Sequence, residues 1–145
     1  MSLADHLAQT TGTLMLTRDP MMHTMGMQLI DIAPGSARVS MRVHENMTNA
    51  LGLCAGSAMS ALAESCFLLA ANSHNQRAVT HSASIQHILP AKAGETLLAM
   101  ASEVSRTSRS GFYHVEIRNE SGALVADFQA QARFVRGTWV QAFAP

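Results

Sequence analysis

The run GSAMSALAESCFLLAANS, from Gly56 to Ser73, constrains the fold more than any other part of this chain. It is rich in Ala, Leu and Met, has no Pro or β-branched residue, and is apolar almost all round, which predicts a helix buried on every side. Gly56 and Ser57 mark its expected start, and Asn72 to Asn75 its expected end. From Asn46 to Gln76 the only formal charge, with histidines neutral, is Glu64. A membrane span is disfavoured, because a carboxylate near the middle of Leu51 to Ala71 would cost about 2.5 to 3.5 kcal/mol on insertion.

On either side of this segment the hydrophobic period changes. Met25–Ala33 and Ser36–His44 flank the turn pair Pro34-Gly35, and the second strand alternates, with Ala37, Val39, Met41 and Val43 on one face and Arg38, Ser40 and Arg42 on the other. Four further strands are predicted over Ala78–Leu89, Glu95–Arg106, Gly111–Asn119 and Ala123–Val135. Ahead of them, Leu3, Leu7 and Leu14 suit a short amphipathic helix weakened near its end by Gly12, giving an N-terminal helical extension over residues 1–20. A helix apolar all round must be enclosed, and a sheet with one apolar face must be covered. The expectation is an α+β fold in which a curved antiparallel sheet wraps around one long central helix, as a single domain over residues 1–145.

Charged residues make up 14% of the chain against roughly 25% in ordinary soluble domains, while apolar content is ordinary at 48%, which predicts a surface buried by oligomerisation. Ten basic residues balance ten acidic ones with no basic block, so nucleic acid is not expected as a partner. Asp5 and His6 interrupt the apolar run that a secretory leader would need, which favours the cytoplasm. Cys54 and Cys66, twelve positions apart on what reads as one helix, would lie about 18 Å apart, beyond disulfide reach.

Glu64 is the main chemical signal. A carboxylate enclosed in apolar surroundings with no basic residue within a helical turn is expected to act as a general base, its pKa raised by desolvation; the plainer alternative is a carboxylate facing solvent or satisfied by a backbone donor. Gly56 stands eight positions earlier at the helix start, where amides without internal partners can polarise a carbonyl. The helical rise puts the two about 12 Å apart, too far to serve one carbonyl within a chain. Two helices lying antiparallel across a homodimer would bring them together.

The run NALGLCAGSAMSALAE, from Asn49 to Glu64, resembles the signature of hotdog-fold acyl-CoA thioesterases of the phenylacetate-degradation (PaaI-like) type: Asn, six residues, Gly, seven residues, then an acid. The resemblance continues through SIQHILPAKAGETL and SRSGFYHVEIRNESGALVADFQAQARF. It implies the hotdog fold, a homodimer or dimer of dimers, and hydrolysis of an acyl-CoA substrate without metal or other cofactor. In it Glu64 attacks the thioester or activates water, the Gly56 amide polarises the carbonyl, and Asn49 orients the carbonyl or water from the facing subunit. Thr80 positions water, Ser57 lies at the substrate, and Arg106, Arg109 and Ser110 meet the nucleotide end. The chain departs from the pattern at Ala55, where many relatives carry a histidine, and at Leu68, where one branch carries a hydroxyl. The departure at Ala55 motivates an alternative, a non-catalytic acyl-CoA or acyl-carrier binding protein.

Other groups read as structural. Cys54 could serve as a nucleophile if the helix start lowered its pKa, but packing is the expected role. His74, His81 and His87 lack metal-ligand spacing. Met21, Met22, Met25, Met27 and Met47 read as core, though flexible thioethers would also suit an adaptable acyl pocket.

Overall fold

The computed structural model describes residues 1–141, so the last four positions of the expected domain lie outside the described residues. Helix α1 (Leu3–Arg18) starts on a reciprocal cap: the Ser2 hydroxyl accepts from the Asp5 amide at 3.1 Å, and the Ser2 amide donates to the Asp5 carboxylate at 3.1 Å. Gly12 falls in the body of this helix rather than near its end. A β-carbon there would lie 3.1 Å from Ile32 and 3.2 Å from Leu29, so glycine lets α1 lie close on the sheet. A short α2 (Pro20–Thr24), absent from the sequence reading, follows with Asp19 capping it: the Met22 amide donates to the Asp19 carboxylate at 3.0 Å, and Pro20 occupies the first turn.

The six strands are β1 (Gln28–Ala33), β2 (Ser36–Arg42), β3 (Ala78–His87), β4 (Thr96–Arg106), β5 (Ser110–Arg118) and β6 (Leu124–Phe134). They form one antiparallel sheet in the order β1-β2-β4-β5-β6-β3. On β2 the expected alternation holds: Ala37, Val39 and Met41 are buried, while Arg38 and Arg42 are exposed. The long helix α3 (Gly56–Asn72) lies against the sheet, packing Leu62, Phe67 and Leu69 onto a core that includes Val39, Leu97, Val115 and Ile117. Phe67 meets Tyr113 edge-on at 5.4 Å between ring centroids.

One expectation about α3 is corrected. The helix is not buried on every side: Ser57 and Glu64 are exposed, and Ser60, Ala61 and Leu68 are half-buried, so one stripe is left open by the chain's own sheet. The sheet can curve around only part of a cylinder, and the small or polar residues collect where it does not reach. At the far end Asn72 is buried and fully used, donating to the Leu68 and Ala78 carbonyls and accepting from the Ala78 amide at 2.9 Å and the Trp139 indole at 2.8 Å. No helix among the described residues is long and apolar enough to cross a membrane.

Candidate active site

The open stripe of α3 faces β3, and this places the first part of the site. Glu64 is exposed within the single chain, not enclosed as expected, because β3 approaches it from one side only. The Thr80 hydroxyl on β3 donates to its carboxylate at 3.2 Å. Next to this pair a cavity of about 400 Å³ opens between α3, α2 and the sheet. Ser57, Ser60, Ser84 and Glu64 supply its polar groups, and Ala61, Ala83, Ile85, Phe128 and Met21 its apolar walls. Glu64 and Ser57 thus line one concavity, with Thr80 bonded to Glu64 beside it.

The start of α3 forms a second group. Ala55 is the N-cap and gives no side-chain hydrogen bond, so the helix opens without the usual hydroxyl or carboxylate acceptor for its leading amides. The chain reaches this point through a loop that Asn49 holds together, its side-chain oxygen accepting from the Leu51 and Leu53 amides at 3.0 and 3.3 Å. Asn49 and Gly56 therefore belong to one rigid corner. Above that corner stands His87, a residue the sequence reading weighed only as a metal ligand: a β-carbon on Gly56 would lie 3.2 Å from its Nε2 and 3.4 Å from its Cε1. The separation of thirty-one positions from Gly56 to His87 leaves no pattern that could have shown the contact. A ring nitrogen thus stands beside the helix start although position 55 carries alanine.

The β4–β5 hairpin is separate. Arg106, Arg109 and Ser110 do not line the cavity. The Arg106 guanidinium donates to Gln76 at 3.3 Å and lies 5.0 Å over the Phe134 ring, and Ser110 accepts from Gln131 at 3.3 Å. Strand register nevertheless sets Thr80 opposite Ala132 and Ala132 opposite Gly111, so the hairpin lies at the Glu64 end of the sheet and His87, opposite Ala126, at the Gly56 end.

The two cysteines are free. Burial, and then the charge of Glu95, push the Cys54 thiol up, opposite to what a nucleophile at a helix start needs. Burial also pushes the Cys66 thiol up to about 12. Of the histidines, His74 pairs with Glu103 at 2.9 Å.

Comparison with known proteins settles the family. Residues 51–126 match the profile of the thioesterase superfamily. The chain is 31% identical over 133 residues to the acyl-coenzyme A thioesterase PaaI of Escherichia coli (strain K12), covering 92% of this chain and 95% of that one. This chain belongs to the thioesterase superfamily. Its structure superposes on that of the E. coli PaaI protein from the phenylacetic acid degradation operon with a TM-score of 0.92 at 30% identity, covering 93% and 98% of the two chains. A structure of the phenylacetic acid degradation protein PaaI from Thermus thermophilus, solved as a mutant, gives a TM-score of 0.78 at 34% identity over 81% of this chain and all of that one. The expected fold and family are therefore those observed, and the chain is a PaaI-like hotdog thioester hydrolase.

Proposed function

We propose that the protein is a cytoplasmic acyl-CoA thioesterase, releasing free CoA and a carboxylic acid in a site completed by a second copy of the chain. The observation that carries this reading is the Glu64 carboxylate, held by Thr80 beside a cavity of mixed serine and apolar lining on the open stripe of α3. Its own Gly56 lies about 12 Å away along the helix, so the carbonyl that Glu64 serves is polarised by the Gly56 amide of a partner. Strand β3 supports that assembly. It ends the sheet, runs for ten residues without a formal charge, and has an outer edge that pairs with no strand among the described residues.

In this reading the thioester carbonyl rests on the amide of Gly56, a donor of a kind worth about 2.7 to 4 kcal/mol in the transition state. Asn49, on the same corner, orients the carbonyl or the attacking water. Glu64 takes a proton from water held with Thr80 as that water attacks the carbonyl carbon, or attacks the carbon directly to form an acyl anhydride that water then hydrolyses; in either case the C–S bond breaks and CoA leaves as a thiolate that is then protonated. His87, beside Gly56, supplies a donor on the leaving-group side. Ser57 lies at the substrate, and Arg106, Arg109 and Ser110 stay assigned to the nucleotide end, where Arg109 is the more available cation because Arg106 is shared with Gln76 and Phe134.

The test is thiol release from a panel of acyl-CoAs by the wild type and by Glu64→Ala, with mass and circular dichroism recorded on the same samples. Turnover is expected to fall at least a hundredfold in a variant that stays folded and oligomeric. A wild type that binds acyl-CoA but releases no thiol would instead support the binding-protein reading that Ala55 motivates.

A further inference from the structure

The cavity beside Glu64 contains one wall residue that comes from outside the sheet and the long helix. Of the methionines gathered ahead of α3, Met22, Met27 and Met47 are buried in the core, and Met25 packs against it half-buried. Met21 is different: it is 49% exposed and lines the cavity together with Ala61, Ala83, Ile85 and Phe128. Its backbone is pinned on both sides, by Pro20 in the first turn of α2 and by Met22, which is capped by Asp19 and buried. An unbranched thioether on a fixed backbone makes a wall that adjusts by rotamer but does not withdraw.

Resting on the thioesterase reading, we propose that Met21 closes the acyl end of this cavity and restricts the substrate to compact, uncharged, apolar acyl groups. Two observations support this. Within one chain the cavity measures about 400 Å³, near the lower end of the roughly 300 to 1,000 Å³ typical of ligand sites, and part of it must hold the thioester itself. Among the described residues of one chain, Glu64 is the only ionisable group lining the cavity, so an acyl group ending in a second carboxylate would meet like charge there.

The experiment compares kcat/KM for butanoyl-, phenylacetyl-, decanoyl- and succinyl-CoA in the wild type, Met21→Ala and Met21→Trp. The wild type is expected to favour butanoyl or phenylacetyl over decanoyl and to process succinyl least. Met21→Ala should raise the decanoyl-to-butanoyl ratio about tenfold, the scale on which a pocket discriminates by a methylene or two, and Met21→Trp should lower it. Profiles that do not change among the three proteins, or a wild type that favours decanoyl or succinyl, would overturn the proposal. If the wild type hydrolyses none of the four, the thioesterase reading fails on its own. Calorimetric binding of the matching non-hydrolysable thioethers then reads the same ratios, and ratios unmoved by Met21→Ala would overturn the inference separately.

Discussion

Gly56 answers to two demands that one substitution separates. Its amide must be open to an approaching carbonyl, and its α-carbon lies under the exposed imidazole of His87. In Gly56→Ala the new methyl meets a side chain free to swing aside, and alanine suits the first turn of a helix better than glycine by up to about 1 kcal/mol. The melting temperature is therefore expected to hold or rise while turnover drops at least tenfold, read by thermal unfolding and thiol release on one preparation. Intact turnover would remove the Gly56 amide from the mechanism. Buried acids make a second residue-scale prediction. Cys66 is raised from 9.0 to about 12 by burial, and Tyr113 is raised from 10.0 by burial and by its hydrogen bond to Glu103. The native chain keeps these protons at pH values where the unfolded chain has lost them. Stability from the Cys66 thiol is thus complete below pH 9 and is lost up to about pH 12, at about 1.4 kcal/mol per unit and roughly 4 kcal/mol in all. Denaturant melts at stepped pH should show Cys66→Ala losing less stability between pH 9 and 10, before Tyr113 begins to contribute.

At the scale of elements, β3 carries the most. One of its edges pairs with β6, its Thr80 reaches Glu64, its His87 overhangs Gly56, and its other edge pairs with no strand among the described residues. Val79→Glu puts a carboxylate on this strand directly opposite Arg133 of β6, so the sheet itself should tolerate the change. Pairing with a second β3 should not, because charge on an edge strand opposes strand addition. The mass by light scattering is expected to fall to that of one chain, with turnover lost although no site residue has changed. An unchanged mass would move the interface away from β3. Element boundaries were largely legible beforehand: period-two alternation marked β2, and the uncharged run marked α3. Helix α2 was not, since five residues are too few to show a period, and neither was the close approach of Gly12 to the sheet, because its neighbour Ile32 lies far along the chain.

For the molecule as a whole, the closure of the far end of α3 is a single polar knot. Asn72 joins the helix to β3 and, through Trp139, to the segment that follows β6. Asn72→Ala would leave the buried Ala78 amide and the indole without their acceptor, and roughly 3 kcal/mol of stability should be lost, since a buried group left unsatisfied costs about 1 to 3 kcal/mol. Trp139 is the sole tryptophan, so its fluorescence reports whether this end opens before the rest. In the wild type the fluorescence and circular dichroism transitions should coincide, and in the variant the fluorescence transition should come first.

Periodicity and composition were enough to specify an apolar helix, the strands around it and the lone acid at Glu64, and the run from Asn49 to Glu64 carried the resemblance to hotdog thioesterases, because each is written in neighbouring residues. They were not enough to show that Glu64 stands in the open, that Thr80 donates to it, that His87 covers Gly56, or that Met21 walls the cavity. Those are meetings between residues far apart in the chain, created when a sheet of finite curvature closes on a helix, and nothing local encodes which side of the helix it leaves uncovered.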